Sequence, residues 1–356
     1  MKHHKASIVL LISILLLLLT FLLSSCNGTP QETKFTEYSL DYFDTATTIT
    51  GYTPDRETFD AICGDILAQL AEYHKLYTIY HRYDGMENLC TINELENGIH
   101  RTVTVDPRIV DMLLYAKEMY AKTNGKLNIA MGSVLSIWHD YRTAGLDDPS
   151  NAELPPMEVL SEAALHTNIN DLIIDEDACT VWLADPRMTL DVGAIAKGYA
   201  VEMTARMLEE RGISGFVINV GGNVRTVGTK ANGELWLAGI ENPVPDAEEP
   251  YVAYLGLAGE SIVTSGSYQR FYIVDGKNYH HIIDAETLLP ADRYLSVSIV
   301  CKDSALGDAL STALFCMTPE DGLALIESIP DAEALWIMTD ESQQQSSGFA
   351  SYLTEP

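Results

Sequence analysis

The chain has 356 residues, 47% of them hydrophobic, and a formal net charge of −29 at pH 7. That length and apolar content suffice for two packed layers or two modest domains, and they exclude wholesale disorder. The acidity excludes nucleic acid as a partner, because a surface of this sign repels phosphates, and an anionic ligand needs a cation to approach it.

The first residues read as a targeting segment. Lys2, His3, His4 and Lys5 form a basic start, Ile8 to Leu23 is almost unbroken aliphatic sequence, and Leu23-Ser24-Ser25-Cys26 closes it. The run is short for a membrane span, so a signal peptide over 1–25 is expected, with Cys26 at a bacterial lipobox carrying the lipid. Processing removes Lys2 and Lys5 and no acidic residue, leaving a net charge of −31. The rest is then extracytoplasmic, held to the bacterial cell membrane through Cys26. The other five cysteines are odd in number and lack C-x-x-C spacing, which argues against a disulfide framework or a cysteine zinc site.

Residues 26–37 read as a polar tether, 38–340 as the folded domain and 341–356 as a flexible tail. Tyr38 to Tyr52 alternates and predicts a strand pair or one long strand. Pro54-Asp55 starts a helix to Tyr77, and Tyr80 to Asn97 reads as irregular. Pro107 starts a helix through Tyr120; Leu127 to Trp138 is apolar with small residues inside. A loop over 145–156 precedes a helix to Ala164, and Asn170 to Leu183 reads as a hairpin. A helix then runs to Arg211, and the strand Phe216–Val220 stops at Gly221-Gly222. Strands follow at Leu235–Ile240, Val252–Leu257 and Ser261–Thr264. Phe271–Val274 and Tyr279–Ile283 flank the turn signal Asp275-Gly276. A strand Leu295–Cys301, a helix over 304–317, a helix from Pro319 and a strand Ala334–Thr339 close the domain. Helices cluster early and antiparallel strands late, so the class is α+β.

Leu190-Asp191-Val192-Gly193-Ala194-Ile195-Ala196-Lys197-Gly198 and Asn219-Val220-Gly221-Gly222 combine a lone acid with glycines that admit close backbone approach. They read as a phosphate cradle or as a plain helix–turn–strand unit. Asp308 and Thr312 are spaced i, i+4 with Ser311 beside them, an oxygen-only set suited to Mg²⁺. His280 and His281 are adjacent on a strand and point to opposite faces, so one of them reaches a site; without a third ligand they do not make a zinc centre. Ser265-Gly266-Ser267-Tyr268 offers hydroxyls and amides to phosphate, or is a turn.

These residues together resemble the ApbE family, the FAD:protein FMN transferases. The matching motifs are Phe43-Asp44-Thr45, Leu127-Asn128-Ile129 with Trp138, Leu190-Asp191 to Tyr199-Ala200, Asn219-Val220-Gly221-Gly222, Thr264 to Tyr268, His281-Ile282-Ile283-Asp284 and Asp308 to Ala313. The resemblance implies an antiparallel-sheet and helix core (T-fold-like) with a smaller α/β subdomain. It implies Mg²⁺ held by the carbonyl of Ala194 with Asp308 and Thr312, Ser311 nearby. FAD contacts carry over to Phe43, Tyr83, Lys126, Leu127, Asn128, Asp191, Lys197 and Ile283, and His281 falls where the family has a catalytic histidine. The chain departs from the pattern in three places. Asn128 stands where many members have Asp, Ala285 and Leu288-Leu289 replace Pro and Thr-Gly, and Ser311 replaces a frequent Asp.

The expected activity is Mg²⁺-dependent transfer of FMN from FAD to a Thr or Ser hydroxyl of an extracytoplasmic partner protein, releasing AMP. Gly221, Gly222, Ser265 and Gly266 would position the phosphates. His281, or else Asp191, would take the hydroxyl proton. The competing readings are a surface lipoprotein that binds FAD without transferring it, and net hydrolysis of FAD to FMN and AMP.

Overall fold

The computed structural model describes residues 32–356; the expected signal segment and Cys26 lie outside them. Strands β1 (Thr33–Tyr42) and β2 (Thr45–Thr53) form a hairpin at the edge of an eight-stranded sheet. The presumed tether is therefore already strand from Thr33, which pairs with Thr53. Asp55 caps helix α1 (Arg56–Tyr77), its side chain accepting from the Thr58 amide. Helix α2 (Pro107–Lys122) begins on Pro107 behind a second aspartate cap, Asp106. It accompanies a three-stranded antiparallel sheet of residues 103–104, β3 (Leu172–Asp175) and β4 (Thr180–Leu183).

The apolar stretch at 127–138 turns into a short 3₁₀ turn and helix α3 (Gly132–Asp147), followed by α4 (Met157–Ala164). Gly132 is required there, since a Cβ would lie 2.5 Å from the Thr189 carbonyl oxygen. Helix α5 (Ala196–Glu210) leads into the hairpin β5 (Phe216–Val220) and β6 (Asn223–Val227). The hairpin β7 (Trp236–Glu241) and β8 (Tyr251–Leu257) precedes β9 (Ser261–Gly266). A second hairpin, β10 (Phe271–Val274) and β11 (Lys277–His280), turns on Asp275 and Gly276, both with positive φ. Its second strand ends at His280, so the expected strand over 279–283 bends away before the His281 motif.

Strand β12 (Tyr294–Cys301), helices α6 (Ser304–Phe315) and α7 (Pro319–Glu327) and strand β13 (Ala332–Met338) follow. The large sheet runs β1-β2-β5-β6-β9-β12-β13-β14, where β14 is Gln343–Gln345. Helices α1, α5 and α6 cover one face, against Val297, Ile299 and Cys301 among others. The β7–β8 hairpin and the chain terminus cover the other, against Val300. Burial on both faces takes even Ser296 and Ser298 of β12 out of water.

The tail is a correction. Instead of fraying, it adds β14 to the sheet edge, buries Phe349 to 1% exposure, and bridges Leu353 to Leu255. The 80–97 segment likewise carries a helical turn, Leu89–Ile92, closed by a capping box on Asn88 and Thr91.

Candidate active site

Four chain reversals converge at one end of the sheet. Phe43 and Asp44 form the two-residue turn of the β1–β2 hairpin, with φ of 56° and 51°, a left-handed pair in non-glycine residues. The Phe43 amide donates to His74 Nδ1 at 3.1 Å, and burial lowers that imidazole's pKa, keeping the acceptor neutral. Gly221 turns the β5–β6 hairpin beside it at φ 56°, and a Cβ there would lie 2.4 Å from Thr45 Oγ1. The neighbouring Gly222, at φ 91°, faces open space. The third reversal is the 191–195 loop entering α5, and the fourth is the 281–284 segment leaving β11.

Helices α5 and α6 meet at Gly198. A Cβ there would sit 2.4 Å from Asp308 Cβ and 2.4 Å from the Ser304 carbonyl oxygen, so only glycine allows the approach. The closeness redirects a hydrogen bond. The Gly198 amide donates to Asp308 Oδ2 at 2.8 Å rather than to the Ala194 carbonyl one turn back. Asp308 thus caps α5, whose own N-cap residue Ile195 makes no side-chain cap. Among the described residues the Ala194 carbonyl, Asp308 Oδ1 and Thr312 Oγ1 have no hydrogen-bond partner. Asp308 is only 4% exposed and forms no ion pair there. A buried carboxylate without a basic partner, next to a released carbonyl and a hydroxyl, is a donor set that a hard divalent cation fits. Ser311 does not complete it, because its Oγ pairs with Ser265 Oγ at 2.8 Å and donates to the Asp308 carbonyl. Those two hydroxyls tie α6 to β9.

Three cations gather beside the 191–195 loop and the Phe43-Asp44 turn. Lys197 Nζ lies 3.4 Å from the Gly193 carbonyl, Arg142 Nη2 lies 3.0 Å from His139 Nδ1, and Arg270 Nη2 lies 3.5 Å from the Asp44 carbonyl. None of the three forms an ion pair with a carboxylate among the described residues. In so acidic a chain, basic side chains left unpaired together form an anion site. His281 lies among them. Its Nδ1 is closed off from water and unpartnered, and its pKa is pushed down to about 3, by burial first and then by Arg270, His280, Lys197 and Arg142. Burial and the neighbouring Arg270 also lower the Arg142 pKa. Asp191 accepts from the Gly193 amide at 2.8 Å, yet desolvation raises its carboxyl above the usual range against the pull of His139, Lys197 and Arg142. His280 belongs to the frame, with Nε2 on the Ala291 carbonyl and Nδ1 accepting from the Ile282 amide.

The other expected contacts divide. Lys126 Nζ is held by Asp284 Oδ1 at 3.2 Å and Glu286 Oε2 at 3.1 Å, which leaves it no free charge to offer a phosphate. Asn128 uses its amide as structure, Oδ1 accepting from the Ala130 amide and Nδ2 donating to the Thr167 carbonyl. An aspartate could not make the second bond, which accounts for the departure at this position. Both residues still line a recess of about 360 Å³ with Tyr120, Thr167 and Ala285. Leu127 and Ile283 are buried in the wall. The loop after His281 keeps its shape without the usual glycine. Leu288 takes φ 60°, its amide bonds the Asp284 carbonyl, and its carbonyl accepts from Trp138 Nε1.

Tyr83 forms an isolated bridge with Met86, and nearby Tyr80, which sequence reasoning did not name as a contact, packs on His139 with ring centroids 5.8 Å apart. That reasoning also missed Arg142 and Arg270. Arg270 lies two residues past the Ser265–Tyr268 motif, and Arg142 lies one helical turn beyond Trp138, at i+4; both signals were readable.

The ApbE family model matches residues 38–336. The chain is 31% identical over 272 residues to the FAD:protein FMN transferase of Klebsiella pneumoniae, covering 74% of this chain and 81% of that protein. It is 33% identical over 261 residues to the enzyme of the same name from Treponema pallidum, covering 68% and 70%. The crystal structure of an ApbE protein from Thermotoga maritima superposes with a TM-score of 0.76 at 26% identity, covering 91% of this chain and all of that one.

Proposed function

The chain belongs to the ApbE family and is a flavin transferase that uses FAD, and from that premise we propose the finer reaction. FMN passes from FAD to a Thr or Ser hydroxyl of an extracytoplasmic protein, and AMP is released. The enzyme works at the membrane surface, anchored through Cys26. The observation that carries this reading is, among the described residues, the set of three cations without carboxylate partners around His281, in a chain that also leaves the oxygens of Ala194, Asp308 and Thr312 free.

Lys197, Arg142 and Arg270 draw the diphosphate of FAD into a body that otherwise repels it. Mg²⁺ held by the Ala194 carbonyl, Asp308 and Thr312 would supply further positive charge against the phosphoryl oxygens. The turns at Phe43-Asp44 and Gly221-Gly222 shape the cleft floor and keep the reacting groups aligned, which is most of what phosphoryl transfer requires. The acceptor oxygen forms a new ester bond to the FMN phosphorus while the bond to the bridging oxygen breaks, and AMP leaves with that electron pair. The hydroxyl proton goes to His281 Nε2, the ring nitrogen that is not closed off. Its pKa, pushed down to about 3, makes the imidazole a poor base as it stands. A bound diphosphate would offset the share of that depression due to Arg270, Lys197 and Arg142, while the largest share, due to burial, would stay. Asp191, its carboxyl raised by desolvation, is the second candidate base.

The test is incubation of the purified protein with FAD, Mg²⁺ and a candidate surface flavoprotein, followed by mass spectrometry for covalent FMN and chromatography for AMP. Both products are expected, and Asp308→Ala should remove both. AMP without covalent FMN would replace the reading with hydrolysis. FAD retained with no AMP would replace it with flavin binding alone.

A further inference from the structure

Asp308 is aimed by a second helix-capping bond. On α5, Glu202 lies one turn beyond Gly198; on α6, Ser304 lies one turn before Asp308. The Gly198 amide donates to Asp308 Oδ2 at 2.8 Å, and the Ser304 amide donates to Glu202 Oε2 at 2.9 Å. Each helix therefore supplies a carboxylate to an amide in the other's first turn, Glu202 adding to the cap that Asp303 already makes on Ala305 and Leu306, and the two bonds sit one turn apart in antiparallel register. Glu202 is 3% exposed and is itself fixed from the sheet. Arg225 on β6, 4% exposed, donates Nε to Glu202 Oε2 at 3.0 Å, and Arg206 Nε reaches Oε1 at 2.9 Å. Arg225 is anchored in turn by the Gly259 carbonyl and by Glu209.

We propose that Glu202 is a positioning residue for the cation grip of Asp308 and Thr312. Through the Ser304 amide it fixes the start of α6, and so sets how far the Asp308 carboxylate and the Thr312 hydroxyl stand from the Ala194 carbonyl. The proposal rests on the cation reading above. A ligand held by a supporting hydrogen bond of this kind loses affinity when the support is removed, even where the fold survives.

The probe is Mg²⁺ alone, titrated calorimetrically into the full chain, with the Mg²⁺ dependence of AMP release measured alongside. Glu202→Gln keeps the size and an acceptor but loses the charge that holds both Ser304 and Arg225. It should weaken Mg²⁺ binding about tenfold and raise the Mg²⁺ concentration for half-maximal rate equally, with the rate at saturating Mg²⁺ close to wild type. Arg206→Met loosens Glu202 from the solvent side but also frees Asp303, the α6 cap that it reaches at 2.8 Å; Asp303→Asn drops only that second ion pair and is its control. Arg206→Met should weaken binding about threefold more than Asp303→Asn does. Because Arg206 is half exposed, this comparison decides the matter if Glu202→Gln does not fold, equal affinities overturning the role of Glu202. Glu209→Gln removes Arg225's other carboxylate without touching α6, and should lower the melting temperature while leaving the Mg²⁺ isotherm in place. Folded Glu202→Gln and Arg206→Met proteins that titrate as wild type would overturn the role of Glu202 alone. A wild-type protein that takes up no Mg²⁺ would instead overturn the cation reading beneath it.

Discussion

Gly198→Ala tests the packing on which the site is built. In an ordinary exposed helix this substitution stabilises by about 1 kcal/mol. Here the new methyl would lie 2.4 Å from both Asp308 Cβ and the Ser304 carbonyl oxygen, against a comfortable carbon contact of roughly 3.5–4.0 Å. The helices must part by on the order of 1 Å, an overpacking cost of about 1–3 kcal/mol. Separation also breaks the bond from the Gly198 amide to Asp308, a hydrogen bond to a charged group that contributes about 1.5–3 kcal/mol. Setting the propensity gain against these losses leaves a net destabilisation of about 2–5 kcal/mol. Urea unfolding should show a lower midpoint at unchanged slope. Transfer at a temperature where the variant is folded should fall about 100-fold, the effect of an ångström-scale misplacement. A variant as stable as wild type, or more stable, would refute the account of how α5 and α6 meet.

Three further outcomes are expected. His281 refuses a proton that the unfolded chain binds, so its contribution to stability is complete above about pH 6.5 and is lost as pH falls toward about 3. The gap in stability between wild type and His281→Gln should therefore shrink steadily over that range in urea titrations, and a gap that does not change with pH would count against it. Arg142→Gln should raise the KM for FAD about tenfold, one charged contact's worth, while stability holds or rises because repulsion by Arg270 is relieved; unchanged KM in steady-state assays would remove Arg142 from the anion site. Phe349→Ala should cost about 3 kcal/mol by thermal denaturation, as expected of a buried aromatic, whereas a frayed tail would show no loss.

Local signals carried much of this fold. Asp55 and Pro107 announced their helices because capping is written in one or two residues. Asp275-Gly276 fixed a hairpin, and the i, i+4 spacing of Asp308 and Thr312 survived intact as two donors on one helix face. The tail was missed because Gln343–Gln345 is polar and pairs along one edge only, so its order comes from a partner strand far away in sequence. Three site residues changed role for one reason. Whether Lys126, Asn128 or Ser311 has a free polar atom depends on Asp284, Thr167 and Ser265, neighbours 158, 39 and 46 positions away. The cation cluster is non-local in the same sense, assembled from α3, α5 and the turn before β10. Reciprocal capping by Glu202 and Asp308 could not be read from either helix by itself.

Strand β1 also sets a height. Among the described residues its pairing begins at Thr33, so if Cys26 carries a lipid, the seven residue steps between the two can span at most about 25 Å. The turn at Phe43-Asp44 lies at the opposite end of the ten-residue strand, roughly 30 Å further on. The mouth of the cleft would then stand no more than about 55 Å above the lipid headgroups. Acceptors would be proteins that present their hydroxyl inside that layer, such as the outward domains of neighbouring membrane proteins.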